Sequence, residues 1–254
     1  MKLRVLGCSG GIGGNLRTTS MLLDHDVLID AGTGVGDLSL AEMVMIDHVF
    51  VTHSHLDHIA SIPMMVDSVG FMRDKPLVVH ATAETIAILK QHIFNWKIWP
   101  DFSEIPNAQE PCLLYEVIEL GKTVNLDGRK ITPIPANHVV PAVGFHLDSG
   151  AASLVYSGDT TACDGLWEAA NAIDNLRYLI VETAFSNAEL DLAMMSKHFC
   201  PSLLAKDIVK LKRNPEIFIT HLKPGEVELT MQEIGECVCG FIPRMLQNGQ
   251  VFEF

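Results

Sequence analysis

The chain has 254 residues, 48% of them hydrophobic, so it can build a sizeable core without staples. Its 18 basic residues against 31 acidic ones leave a net charge of −13 with no local basic patch, which argues against a long nucleic-acid polymer as partner. The six cysteines, Cys8, Cys112, Cys163, Cys200, Cys237 and Cys239, form no CxxC, and no apolar run approaches ~18 residues, so a zinc ribbon, a disulfide framework and a membrane span are not expected.

Residues 2–7 read as a strand that breaks at Gly7, too early for the apolar part of a signal peptide, and a reduced, cytoplasmic protein is the expectation. A Gly-rich loop, GCSGGIGG, covers 7–14. Strands follow at 20–23 and 27–30 around a turn at Asp24-His25-Asp26. A short helix near 39–45, a strand at 47–52, a helix at 58–72, a strand at 77–80 and a helix at 83–97 come next. A proline-interrupted aromatic segment, FNWKIWPDFSEIP, spans 94–106. The chain then turns β-rich, at 113–120, 122–126, 129–135, 142–148 and 152–157, with LDG and DSG marking tight turns. Helices at 163–173, 201–212 and 230–240 alternate with strands at 177–181, 215–220 and 250–253. No linker, repeat or low-complexity tract interrupts residues 1–254, so one domain is expected. The pattern by itself supports an α/β fold; a four-layer αββα sandwich, two mixed sheets with helices outside, rests on the motifs as well.

The stretch VTHSHLDHIA at 51–60 places His53, His55, Asp57 and His58 directly after a strand. Histidine and carboxylate together suit zinc, iron or manganese. A tight loop can present His53 and His55 on one side while Asp57 and His58 face a second point. Four such ligands within six residues exceed what one tetrahedral ion takes from a loop, which favours two ions. A solvated loop with incidental histidines would account for one imidazole, not for this set. Three further ligand types each close an apolar run, as a sheet edge would present them: His138 after ITPIPAN, Asp159 after SLVYSG, and His221 after EIFIT.

His53-x-His55-x-Asp57-His58 followed by His138, Asp159 and His221 resembles the metallo-β-lactamase superfamily signature, and Asp30-Ala-Gly resembles its early aspartate-glycine turn. The resemblance implies that His53, His55 and His138 hold one divalent metal, that Asp57, His58 and His221 hold the other, and that Asp159 bridges them. Zinc is the first expectation; iron and manganese also suit these ligands. An aspartate rather than a cysteine at 159 points away from zinc β-lactamases and towards hydrolases of esters and phosphodiesters. Hydroxide shared by two cations is a strong nucleophile at neutral pH. The runs LGCSGGIGGNLRTTSMLL, THSHLDHIA, SGDT, LIVETAFSN, SKHFCP and ITHLKPGE further resemble class II 3′,5′-cyclic-nucleotide phosphodiesterases. Two departures stand out: Ala60-Ser61 replaces that family's Ala-Gly, and SKHFCP replaces Gly-His-Leu-Thr/Ser-Pro.

Glu182 ends a strand and His198 lies beyond it. A carboxylate beside an imidazole keeps it protonated longer, and expelling an alkoxide calls for a general acid. A helix-capping histidine is the plainer alternative; the resemblance implies the proton donor. Asp57, Asp159, Glu182 and His198 are thus the expected catalytic residues. The reaction expected is hydrolysis of cAMP or cGMP to the nucleoside 5′-monophosphate by the metal-shared hydroxide, with His198 as acid. Alternatives are a tRNA 3′-processing endonuclease, a lactonase or thioesterase, and a non-catalytic metal-binding nucleotide sensor. The 94–111 insertion carries Lys97 as its one cation, little for a tRNA-binding arm. The Gly-rich loop lacks the lysine and hydroxyl of a P-loop and reads as a tight turn, with Ser9, Asn15, Arg17 and Thr18 as rim candidates. Phe94, Trp96, Trp99 and Phe102 read as core or dimer surface rather than a base-stacking cover. Lys223 could neutralise a phosphate or simply be solvated. The expected partner is a small phosphodiester, with a homodimer left open.

Overall fold

The computed structural model describes all residues, Met1–Phe254. The first sheet is built from β1 (Lys2–Gly7), β2 (Ser20–Leu23), β3 (Val27–Ala31), β4 (His48–Phe50), β5 (Leu77–Ala81) and β6 (Leu113–Val117). Helices α1 (Leu40–Val44), α2 (Leu56–Ile59), α3 (Ser61–Val69) and α4 (Ala83–Ile88) are threaded between its strands. The second sheet holds β7 (Val124–Leu126), β8 (Arg129–Pro135), β9 (Val143–Asp148), β10 (Ser153–Tyr156), β11 (Leu176–Glu182), β12 (Glu216–Thr220) and β13 (Arg244–Met245). Helices α5 (Asp164–Asn171), α6 (Leu190–Ser196), α7 (Pro201–Ile208) and α8 (Val227–Cys237) belong to this half, and β14 (Val251–Glu253) returns to pair with β1. The sheet orders are β14-β1-β2-β3-β4-β5-β6 and β13-β12-β11-β10-β9-β8-β7. Both are mixed: β3 to β6 run parallel, as do β10 to β13, and the remaining pairs are antiparallel.

The period-2 alternation of each strand assigns the layers. Leu3, Val5, Met21, Leu23, Val27, Ile29 and Phe50 meet Phe145, Leu147, Leu154, Tyr156 and Ile180 in the core between the sheets. Their neighbours Leu22, Leu28, Val49 and Val79 face outward onto Ile62, Met65, Val66 and Val69 of α3. On the other side Val155, Leu179, Val181 and Ile219 are covered by Leu166 and Trp167 of α5, Leu204 and Ile208 of α7 and Ile234 of α8. Central strands buried on both faces read as continuous apolar runs for this reason. The result is the αββα sandwich expected from the sequence.

The differences from expectation are local. The helix expected over 58–72 begins earlier, at Leu56, and is split into α2, α3 and a 3₁₀ turn, Gly70–Met72. Pro63 lacks the N–H that would bond the carbonyl of Ile59 and so separates α2 from α3. The helix expected to reach 97 ends as a π-helical turn, Leu89–Ile93. Phe94 then turns into the core, buried with Phe102 in the layer under the helices, while Trp96 stays exposed and donates to Glu104. The aromatic segment is therefore mostly core. Two short elements, α6 and β13, had no expectation.

Strands β3, β4, β8, β10, β11 and β12 all point their carboxyl ends at one edge of the sandwich, where α/β folds characteristically bind ligands. Phe50, fully buried one turn before the His-rich loop, stacks on His80 at 4.2 Å and meets the edge of Phe145 at 5.8 Å. Phe50→Ala should cost about 3–5 kcal/mol in urea-denaturation stability, because this strand end cannot collapse around the lost ring.

Candidate metal centre

The loop after β4 delivers His53, His55 and, at the start of α2, Asp57 and His58. His138 follows β8, Asp159 follows β10 and His221 follows β12. The structure brings all seven together as two groups sharing one member. His53, His55, His138 and Asp159 form the first, and Asp57, His58, Asp159 and His221 the second; within each group the ligand atoms lie within 4.8 Å of one another. Two ligands ~2.1 Å from one tetrahedral ion stand ~3.4 Å apart. The separations here are of that size: 3.2 Å for His55 Nδ1 to His138 Nε2, 3.6 Å for His53 Nε2 to Asp159, 3.3 Å for His58 Nε2 to Asp159, and 3.7 Å for His221 Nε2 to Asp57.

The chemistry of these atoms also fits cations. His53 Nε2, His58 Nε2, both ring nitrogens of His221 and Asp159 Oδ1 are buried without a hydrogen-bond partner. Buried polar atoms are otherwise satisfied. A pair of divalent ions would use His53 Nε2, His58 Nε2, one ring nitrogen of His221 and Asp159 Oδ1, and would compensate the buried carboxylate. Burial holds the imidazoles of His53 and His221 below their ordinary range, the latter to about 3, in the neutral form that ligates. Burial works against charge on His58 too, but the Asp159 and Asp30 carboxylates outweigh it and hold it well above the ordinary histidine range.

A further set of residues aims the ligands. Asp30, fully buried, accepts from the Thr52 backbone N–H at 2.8 Å, from the Thr52 hydroxyl at 2.8 Å and from His58 Nδ1–H at 2.7 Å. With its proton on Asp30, the Thr52 oxygen accepts from His53 Nδ1–H at 3.0 Å. His138 Nδ1–H donates to the Lys197 carbonyl at 3.1 Å. Each bond fixes a tautomer that leaves Nε2 facing the site. Gly32 is required because a Cβ there would lie 2.2 Å from the Asp57 carbonyl.

The Gly-rich loop packs against the His221 turn. His221 has φ +65°, its N–H donates to the Cys8 carbonyl at 2.8 Å, and a Cβ on Gly10 would fall 2.4 Å from the His221 carbonyl. Lys223 Nζ donates to the Gly10 carbonyl at 2.7 Å, so its ammonium braces this loop. Ser9, Arg17 and Thr18 are engaged in bonds to Leu222, Asp37 and Thr33.

Glu182 and His198 meet beside both groups. His198 Nδ1 lies 2.8 Å from Glu182 Oε1, and the ring centroid is 4.9 Å from that of His138 and 5.1 Å from that of His221. Burial disfavours the charged imidazole, but the Glu182 carboxylate more than offsets it, and the His198 pKa is raised. Sequence reading missed Thr52, Asn137, Thr160 and Lys197 as supports; adjacency to Asp159, His138, His53 or His198 was the one signal available for them.

A two-sheet αββα scaffold with a shared-aspartate pair of His/Asp groups at one edge is the architecture of metal-dependent hydrolases of the β-lactamase type. The family model described as Beta-lactamase superfamily domain matches residues 25–235. The chain is 25% identical over 204 residues to a probable 3′,5′-cyclic-nucleotide phosphodiesterase of Yersinia pestis, covering 71% of this chain and 58% of that protein. It is 32% identical over 171 residues to a ribonuclease Z of Mycobacterium bovis, covering 61% and 59%. The chain thus spans about three fifths of the length of each of these two relatives. Among solved structures, unliganded yeast PDE1 superimposes with a TM-score of 0.81 at 16% identity, covering 98% of both chains. The metallo-β-lactamase fold protein YhfI of Bacillus subtilis does so with 0.77 at 18%, covering 99% and 98%. The chain belongs to the metallo-β-lactamase superfamily.

Asp30→Asn retains the size of the side chain but weakens its grip on Thr52 and His58. Metal affinity, measured by competition with a chromophoric chelator, should fall about 10–100-fold, the usual cost of losing an outer partner of a ligand.

Proposed function

We propose that the protein is a two-metal phosphodiesterase whose substrate is a small phosphodiester, with a 3′,5′-cyclic nucleotide, cAMP or cGMP, opened to the 5′-monophosphate as the leading case. In this reading His53, His55 and His138 hold one ion and Asp57, His58 and His221 the other, with Asp159 between them and zinc as the first candidate. Such ions would supply Lewis acidity towards phosphoryl oxygens and an acidified water. The observation that carries the proposal is the Glu182–His198 pair at 2.8 Å, with the His198 ring stacked on His221 of one group and edge-on to His138 of the other. Glu182 Oε1 also accepts from the Thr160 N–H at 3.0 Å, so the carboxylate that orients His198 is itself fixed. With Nδ1–H held by Glu182, His198 keeps Nε2–H free to protonate a departing alkoxide. A lactone or thioester does not require that donor.

The surroundings favour a small substrate. A cleft of about 650 Å³ adjoins His138 and is lined by Val117, Leu120, Val139 and Pro141 with Glu84 and Glu119, and by no lysine or arginine. Carboxylates there, together with the net charge of −13, repel a polyanion. The ribonuclease Z likeness supports RNA 3′-end cleavage as the second reading, since that activity can use the same acid pair; it lacks a basic RNA-binding arm here.

A panel of cyclic nucleotides, an RNA precursor, a lactone and a thioester, assayed with metal-reconstituted protein, separates these readings and the non-catalytic sensor. Turnover of cAMP or cGMP is expected; turnover of the acyl substrates alone would overturn the proposal. In the same assay His198→Ala should keep its metal and lose roughly 10²–10⁴-fold in rate with cyclic nucleotides, the scale of general-acid catalysis. The loss should shrink for bis(p-nitrophenyl) phosphate, whose leaving group scarcely needs a proton. Equal losses on both, or loss of metal, would make His198 structural or a ligand.

A further inference from the structure

Lys197 sits between α6 and His198 in the left-handed region, φ +54° and ψ +51°, where a side chain is strained and glycine is not. A strained residue persists where its surroundings hold it, and such residues cluster at functional sites. The contacts of Lys197 are specific. Its carbonyl accepts from His138 Nδ1–H at 3.1 Å, and its half-buried ammonium donates to Asn137 Oδ1 at 3.1 Å and to the His138 carbonyl at 3.2 Å.

These bonds close a ring. Asn137 N–H donates to the Thr160 hydroxyl at 2.9 Å, Thr160 N–H donates to Glu182 Oε1 at 3.0 Å, and the same oxygen accepts from His198 Nδ1–H at 2.8 Å. His198 follows Lys197 directly, which completes the circuit. Asn137 Nδ2 donates to the Ala162 carbonyl at 2.9 Å, and the Asn137 carbonyl accepts from Thr161 N–H at 3.0 Å. The ring therefore threads the neighbours of His138 and Asp159 and the Glu182–His198 pair. Four chain segments, after β8, after β10, at the end of β11 and before α7, are tied at this one point.

We infer that Lys197 is a positioning residue that locks the His138 ligand segment to the proton-donating pair, through the Lys197–Asn137 tether. This rests on the two-metal phosphodiesterase reading. The left-handed backbone lets one residue turn its carbonyl to His138 while handing the next side chain to Glu182. Glycine would hold that backbone without strain but could not supply the ammonium.

Lys197→Gly, Lys197→Met, Lys197→Arg and Asn137→Ala test the tether. Relief of strain should leave the melting temperature of metal-free Lys197→Gly unchanged or raised. Its kcat with a cyclic nucleotide should nonetheless fall about tenfold, within the range that misplacement of a reacting group produces, with KM little changed. Metal affinity, read by chelator competition, should weaken by roughly tenfold because His138 is less firmly aimed. Lys197→Met keeps the strain and should lose both stability and rate; Lys197→Arg, which can still reach Asn137, should recover most of the rate. Lys197→Gly combined with Asn137→Ala should lose less rate and metal affinity than the sum of the two single losses, the signature of a shared interaction between residues that each keep one further bond. Wild-type kcat and wild-type metal affinity in Lys197→Gly would overturn the inference, as would fully additive losses. If the wild type hydrolyses no phosphodiester, the functional reading fails by itself, and the metal-affinity arm still decides the tether: weakened affinity in Lys197→Gly and Asn137→Ala supports it, unchanged affinity refutes it.

Discussion

The structure depends on one buried aspartate. Asp159 is 1% exposed, belongs to both ligand groups, and keeps one oxygen without a hydrogen-bond partner. A carboxylate taken out of water costs several kcal/mol unless cations or well-placed donors compensate it. Burial raises its pKa, but the charged His58 imidazole beside it reverses this and holds the carboxyl well below its usual range. A negative charge is therefore fixed out of water at one edge of the sandwich, with imidazole nitrogens converging on it from both sheets. The bridge between two cations is the chemical role that best matches such a position.

The layers exist in relation to this point. Six strand ends from two sheets meet at one edge, so no ligand relies on a long flexible loop. Residues that touch no metal position then decide the aim. Asp30 and Thr52 orient His58 and His53, the Lys197 carbonyl orients His138, and the Gly10 backbone seats the strained His221 turn. The same logic extends to His198, which is held by Glu182, and to Glu182, which is held by Thr160. Ligand geometry and acid–base geometry share one set of loops, which is why a change in either should be felt in the other.

Much of this was legible in the sequence, for definite reasons. The ligands His53, His55, Asp57 and His58 lie within six residues, so local spacing suffices to see them. His138, Asp159 and His221 each close an apolar run, and a strand that ends at a site leaves that trace. The division of the seven into two groups needed the family resemblance, because spacing along a chain says nothing of which strand ends are neighbours. The supports were not legible: Asn137, Thr160 and Lys197 lie far apart in sequence and meet through hydrogen bonds between loops. Periodicity describes buried faces, and loop contacts have none. The aromatic segment was harder for a related reason, since Phe94 and Phe102 pack as core from within an irregular stretch that carries no repeat.

The central claim is that Asp159 unites two cation sites. It is tested most directly by elemental analysis together with thermal denaturation of wild type and Asp159→Asn, each with and without zinc. Two equivalents per chain are expected in the wild type, with a melting temperature that rises on loading; saturation at a thousandfold excess over Kd corresponds to about 4 kcal/mol. Asp159→Asn should fold, but should retain less than one equivalent and gain little from the metal. A single equivalent in the wild type, or an Asp159→Asn variant that loads and stabilises as fully as the wild type, would contradict the account.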